Sequence, residues 1–252
     1  AVVCLVLIFI PGIGTTVYGA TRWIVIGPIS FQPSEVMKLA IILYLAAWLS
    51  GRRQTVHNSE FFEGYIPFIA ILSLVGFLIL KQPDTGTLGL VFCIALAIFF
   101  VSGARLSHIF MTIVGGIGLL ALLIRMAPYR MERFMVFLNP DHDPLGSGYQ
   151  LTQALMALGS GGWFGVGLGQ GRQKFNYLPE PVTDSVFAVI GEEIGFVGAF
   201  LVVSLFLFVA WRGLRIARST SDMFGRLVAV GIVSWIFIQA MINIMAISGL
   251  IP

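Results

Sequence analysis

Between Tyr177 and Glu193 the sequence reads YLPEPVTDSVFAVIGEE. It sets one carboxylate, Asp184, where a polar stretch turns into an apolar helix, and two more, Glu192 and Glu193, inside the apolar run. Ionisable groups beside or within a membrane span are costly and point to function by default. An aspartate so placed has two physical uses. It can cap the first turn of the helix by accepting backbone N–H groups, or it can take a proton from a reacting hydroxyl as a general base. A solvated aspartate titrates at about 3.9; burial raises that value and neighbouring cations lower it, so the surroundings decide which use is open. Glu192 and Glu193 read as buried partners of a polar residue on a neighbouring span rather than as reacting groups.

A second constellation opens another apolar helix. Glu35 and Lys38 are spaced i,i+3 and share one face; Pro33 and Glu35 suit a first helical turn. Two readings stand: an ion pair near a helix end, or a pair lining a polar cavity in which Lys38 meets a phosphate. Lys81-Gln-Pro-Asp-Thr-Gly-Thr87 reads as a tight turn between antiparallel spans, with Pro83 at its second position, Asp84 offering local hydrogen bonds and Gly86 relieving steric conflict.

Residues 125–185 hold Arg125, Arg130, Arg133, Arg172 and Lys174 against Glu132, Asp141, Asp143, Glu180 and Asp184. The planar fork of arginine suits phosphate. Arg130 and Arg133, with Lys174, are therefore candidate substrate-binding cations, pairing with the loop's own acids being the competing use. YQLTQALMAL over 149–158 has helical spacing and presents Gln150 and Gln153 on one flank. Asp141-His142-Asp143 is a weak metal motif, since three successive residues do not easily face one ion. The glycine-rich run from Gly159 to Gly171 has a composition that can cradle phosphate on backbone N–H groups. No Gly-Lys-Ser/Thr closes it and no strand precedes it, so it is neither a P-loop nor a dinucleotide fingerprint. Its Trp163, Phe164 and Leu168 suit a loop dipping into a membrane interface.

The elements that must position these groups are membrane helices. The 252 residues are 58% hydrophobic and 11% charged, where a soluble domain carries about 25% charged residues. Apolar runs at 34–50, 65–80, 88–101, 106–124, 186–211 and 227–248, with 1–10 as the tail of another, predict an all-α polytopic chain of about seven spans. The stretch 11–33 is too interrupted to span; its alternating Trp23, Ile24, Ile26, Ile29 and Phe31 suit an interfacial segment. Residues 125–185 form one long loop, a length that favours function. Cys4 and Cys93 lie in apolar runs as small core hydrophobes rather than a disulfide, and His57 reads as solvated. The net charge of +3 is scattered and excludes nucleic-acid binding as the leading class. The chain begins inside an apolar run and stops directly after a span, so it reads as one membrane domain, 1–252, lacking spans at both ends.

Orientation follows from the short connections. Arg52, Arg53, Arg105, Arg212, Arg215, Arg218 and Arg226 fall on one side, against Arg22 and Lys81 on the other. Positive short loops mark the cytoplasmic side. The long loop, Asp184, Glu35 and the Gln82-Pro-Asp-Thr-Gly turn are then extracytoplasmic.

GATRWIVIGPISFQPSEVMKL, KQPDTGT, PYRMERFMVFLNPDHDPLGSGYQLTQALMALG and YLPEPVTDSVFAVIGEEIG resemble, in order and over nearly the whole chain, the signature blocks of the SEDS family (FtsW, RodA and SpoVE). The GSGYQLTQ block and the GEE after Asp184 look more like the division branch than the elongation branch. Family members have ten spans, and this chain corresponds to the third through ninth. Val182 stands where the family carries His, and Ser185 where it carries an aromatic.

The resemblance implies a peptidoglycan glycosyltransferase that polymerises lipid II on the outer face of the bacterial cytoplasmic membrane, in division or elongation. The implied partners are a class B penicillin-binding protein as transpeptidase, other divisome or elongasome membrane proteins, and membrane lipids. It carries over Asp184 as the catalytic carboxylate and Glu35, Lys38 and Asp84 as members of a polar cavity. No cofactor is evident; a divalent cation, Mg2+ or Mn2+, is the candidate companion of the pyrophosphate. A lipid II flippase and a scaffold for the transpeptidase are the competing classes. No internal repeat of the inverted-transporter kind is visible.

Overall fold

The computed structural model describes residues 5, 7–8, 14–17, 20–26, 29–51, 61–82, 84–139, 143, 147–173 and 185–251. The chain forms two compact units, Ala1–Gly116 with Ala210–Ile238, and Ile117–Val209 with Gln239–Pro252.

The first unit begins with an antiparallel meander, β1 Gly14–Val17, β2 Ala20–Ile26 and β3 Ile29–Phe31. Gly14 pairs with Ile24 on one side of β2, and Ile24 with Phe31 on the other. This is the stretch expected to lie at the interface. Its apolar alternation has the two-residue period of a strand, and Ile24 is buried while Val25 is exposed. Helix α1, Pro33–Gly51, follows. It starts at proline with Glu35 in its first turn, both favourable at a helix N-terminus. It buries Met37, Ile41, Ile42, Leu45 and Leu49, a stripe of helical period.

A π-helical turn, Phe61–Tyr65, leads into α2, Ile66–Leu80, and the next helix is α3, Thr85–Val101. Both α1 and α2 pack on α3; Phe68 stacks on Phe99 with centroids 4.1 Å apart. Among the glycines, Gly231 shows why a small residue is needed: a Cβ there would stand 2.5 Å from Ile42 Cγ2. Small residues let membrane helices approach closely.

Helix α4, Leu106–Met126, begins in the first unit and ends in the second. The second unit also contains α5, Pro128–Leu138, and α6, Ser147–Ser160. It takes in most of α7, Val186–Ser219, and the end of α8, Met223–Ile247. Ala154, Ala157, Ala188 and Ile247 form its buried core, with Leu158, Phe187 and Val189 packed around them. The stretch 125–185 is thus no open loop over its described residues: it carries two helices before α7.

Among the described residues, five helices are long and apolar enough to cross a bilayer: Pro33–Gly51, Phe61–Leu80, Leu106–Met126, Val186–Ser219 and Met223–Ile247. Thr85–Val101 is a shorter apolar helix of 17 residues. The expected span at 1–10 lies mostly outside the described residues. Only 6% of the apolar window of α4 is buried, and side chains such as Phe110, Ile117 and Leu122 stand exposed. Hydrocarbon is the solvent that tolerates such a surface. The chain is a polytopic helical membrane protein.

Candidate functional site

Lys38 lies in the second turn of α1 and is 1% exposed. An ammonium taken out of water needs compensation. Glu35 supplies it, with Nζ to Oε1 at 2.8 Å, while its own side chain remains 47% exposed. The indole of Trp235, on α8, lies beneath the same ammonium at 5.0 Å from Nζ to the ring centroid. The i,i+3 pair expected from the sequence is formed, and it is asymmetric: a sealed cation and a half-open carboxylate. Beside them the fully buried Ser34 hydroxyl has no hydrogen-bond partner among the described residues.

Asp84 occupies the N-cap of α3 and is 8% exposed. Its Oδ1 accepts from the Thr87 N–H at 3.0 Å and its Oδ2 accepts from the Thr87 hydroxyl at 2.8 Å. This is the local hydrogen bonding the turn composition predicts; Pro83 lies outside the described residues. Asp84→Ala is expected to cost about 1 kcal/mol, since it removes an N-cap, and so to lower the thermal midpoint of purified protein by about 2–4 °C. Asp84→Asn keeps an acceptor and should move the midpoint by less than half as much. Equal losses in both variants would remove the capping role.

In the second unit Arg130 works locally. Its Nε donates to Tyr129 Oη at 2.9 Å and its Nη1 donates to Leu123 O at 3.2 Å. The latter carbonyl is in the last turn of α4, so the guanidinium caps a helix C-terminus. The sequence offered phosphate or the loop's acids as partners; the structure adds a backbone carbonyl and a phenol. Arg133 is exposed, and Gln150 and Gln153 are half-buried on α6. Lys174 and Asp184 lie outside the described residues, as do Cys4, His57, Asp141, His142, Glu180 and Val182. No group of three His, Cys, Asp or Glu side chains gathers as a metal site among the described residues.

The sequence reading missed how the glycine-rich run and the Gly-Glu-Glu stretch meet. Helix α7 is broken at Gly195, where φ is 73° and ψ is −166°. In an unbroken helix the Phe196 N–H would bond the Glu192 carbonyl and the Val197 N–H that of Glu193. Instead Phe196 donates to Gly162 O at 2.8 Å and Val197 to Trp163 O at 3.2 Å. The vacated carbonyls are taken by Val166 N–H on Glu192 O, at 3.0 Å, and Gly167 N–H on Glu193 O, at 3.1 Å. The loop thus replaces, group for group, what the break removes. Unpaired backbone is not tolerated at membrane depth, so a broken span needs such a substitute.

The two carboxyl groups extend the same clasp. Glu192, 3% exposed, accepts from Arg172 N–H at 2.8 Å and from Gln173 N–H at 3.3 Å. Glu193 Oε2 accepts from Gly169 N–H at 3.0 Å. The expected partner of these acids, a polar side chain on a neighbouring span, is replaced in these bonds by the loop's own backbone. The glycines are there for approach: a Cβ on Gly161 would lie 1.9 Å from Gly191 O, and one on Gly165, at φ +80°, would lie 2.1 Å from Glu193 O. A phosphate cradle needs free N–H groups, and Val166, Gly167 and Gly169 spend theirs on α7. Trp163, Phe164 and Leu168 remain exposed on the rim, in keeping with a loop that dips into an apolar interface.

The family described as the FtsW, RodA and SpoVE cell cycle proteins matches the chain over residues 1–252. The stage V sporulation protein E of Bacillus subtilis is 47% identical over 98% of this chain and 67% of its own length. A protein of Nitrosomonas europaea named probable peptidoglycan glycosyltransferase FtsW is 44% identical over 100% of this chain and 65% of its own length. The chain therefore spans about two thirds of such relatives. A solved structure titled "Structural coordination of polymerization and crosslinking by a peptidoglycan synthase complex" superposes with a TM-score of 0.79 at 27% identity, covering 99% of this chain and 68% of the other. The rod shape determining protein RodA of Thermus thermophilus superposes at 0.65, also at 27% identity, over 97% of this chain and 62% of that one.

Proposed function

The chain belongs to the FtsW, RodA and SpoVE family, and from that premise we propose that it is the core of a peptidoglycan glycosyltransferase that polymerises lipid II at the outer face of the bacterial cytoplasmic membrane. The observation that carries this reading is a match along the whole chain to relatives bearing that name at above 40% identity. The sealed Lys38, an ammonium kept in an apolar helix at a cost, supports it from the side of the chemistry.

The reaction joins two sugars. The 4-hydroxyl oxygen of the acceptor attacks the anomeric carbon of the donor, the bond from that carbon to the pyrophosphate oxygen breaks, and undecaprenyl pyrophosphate leaves with the electron pair. Asp184 accepts the hydroxyl proton as general base, and the displacement inverts the anomeric carbon. Negative charge grows on the leaving pyrophosphate, and fixed cations are the means of stabilising it. Lys38 with Glu35 is the candidate in the first unit; Arg130, Arg133 and Lys174 are candidates in the second, with Gln150 and Gln153 as hydrogen-bonding partners for substrate. Asp84, which the resemblance implies is a member of a polar cavity, is held by the cap it makes. A divalent cation accompanying the pyrophosphate would share the charge. A class B penicillin-binding protein is the partner that would crosslink the product, a pairing in keeping with a neighbour titled as a synthase of polymerisation and crosslinking.

The test is purified protein with labelled lipid II, in detergent and in vesicles, with and without the transpeptidase. Glycan polymer is the expected product. Transfer of lipid II across vesicles without polymer would make the protein a flippase; neither activity, with crosslinking by the partner restored, would make it a scaffold. Lys38→Ala is expected to slow polymerisation by about tenfold or more; full turnover in that variant would remove Lys38 from substrate binding.

A further inference from the structure

We infer that Trp235 is a positioning residue for Lys38, the fixed half of a latch whose displaceable half is Glu35. The inference rests on the reading that Lys38 meets the pyrophosphate of a lipid-linked donor. In the geometry observed no anion can reach the ammonium, because Lys38 is 1% exposed. Two of its neighbours differ in kind. Glu35 touches Nζ at 2.8 Å and is 47% exposed, so this carboxylate can swing into solvent at small cost in hydration. Trp235 offers a ring face at 5.0 Å, within the range of a cation–π contact, and it is half-buried on α8.

An incoming phosphate carries the charge that Glu35 carries. It can therefore take the place of the carboxylate without leaving the ammonium uncompensated. It cannot take the place of the indole, which is neutral and attracts the cation through its ring quadrupole. The indole thus holds Nζ in position while the anions exchange. The lysine stem has rotatable bonds on every carbon, and without the ring it loses an anchor that the exchange of anions leaves in place. The buried Ser34 hydroxyl, unpartnered among the described residues, is i,i+4 to Lys38 on the same helix face and would be the nearest donor in sequence for an anion that replaces the carboxylate.

The test compares wild type, Trp235→Leu and Trp235→Phe for donor KM, for kcat, for thermal midpoint, and for equilibrium binding of undecaprenyl pyrophosphate. Trp235→Leu keeps an apolar side chain and loses the quadrupole; it is expected to weaken binding of undecaprenyl pyrophosphate and to lower kcat/KM, each by about tenfold. Trp235→Phe, with a weaker ring, should fall between. Unchanged kcat/KM and binding in a folded Leu variant would overturn the latch, as would a lower midpoint with binding of undecaprenyl pyrophosphate kept, which is the signature of packing alone. If the Leu variant does not fold, the Phe variant decides: a two- to threefold loss of undecaprenyl pyrophosphate binding at an unchanged midpoint supports the latch, and no loss overturns it. If wild type makes no polymer, the glycosyltransferase reading fails by itself. Binding of undecaprenyl pyrophosphate then decides, a tenfold difference between wild type and Trp235→Leu supporting the latch, and equal or absent binding overturning it.

Discussion

Asp184→Asn is expected to lower glycan polymer formation from lipid II by about a hundred- to ten-thousandfold, the range of a lost general base, while leaving the thermal midpoint where it was. The force of this substitution is that it separates the two uses an aspartate has at the start of a helix. Asn has nearly the shape of Asp and keeps an acceptor oxygen, and the Ala188 and Val189 N–H groups at the start of α7 are taken by the Ser185 carbonyl in any case. Asn cannot take a proton from a hydroxyl at neutral pH. Activity lost with stability kept is the outcome that assigns catalysis. Activity kept in Asp184→Asn would remove the residue from the mechanism. Asp184→Ala serves as the companion: it should lose activity to the same degree, since alanine accepts no proton either. Polymer length on gels and a thermal scan of the same preparation measure both.

The second large effect is expected at the clasp. Gly161→Ala drives a methyl group against the Gly191 carbonyl, 1.9 Å from where its Cβ would stand. Backbone on both sides must move, and the exchanged hydrogen bonds around Gly195 are lost with it. Each buried backbone group left unpaired costs about 1–3 kcal/mol. Phe196 N–H, Val197 N–H and their two exchanged carbonyls are all at stake. A fall in thermal midpoint of about 10 °C follows at about 2–4 °C per kcal/mol. Glu192→Ala attacks the clasp from the other strand of contacts by orphaning Arg172 N–H and Gln173 N–H; a loss near half as large is expected, with Glu192→Gln retaining most of the stability. Gly159→Ala is the control. Nothing lies within 4 Å of its Cβ, it sits in α6, and alanine is the better helix former, so its midpoint should hold or rise. Should Gly161→Ala behave like Gly159→Ala, the clasp as described would be wrong.

The sequence by itself determined the class of the protein and the place of most spans. Bilayer thickness converts apolar run length into helices with little help from tertiary contacts, so the runs at 34–50, 106–124 and 227–248 became α1, α4 and α8, with no end displaced by more than four residues. Local chemistry was legible for the same reason: the i,i+3 spacing of Glu35 and Lys38 makes their pairing a property of one helix, and Asp84 with Thr87 closes a turn within four residues. The alternation of Trp23, Ile24 and Ile26 had the strand period in it, though no local signal paired β2 with β1 and β3.

Tertiary structure alone decided the rest, wherever a group's partner is far along the chain. Trp235 stands almost two hundred residues from Lys38, and no spacing rule joins an indole on α8 to an ammonium on α1. The glycine run and Glu192 are closer in sequence, but their meaning lies in a break at Gly195 that helical periodicity conceals. The carbonyls of Glu192 and Glu193 become acceptors for the loop only because α7 stops using them. A backbone group's need for a partner is written in every residue; which group answers it is settled only when the chain has folded.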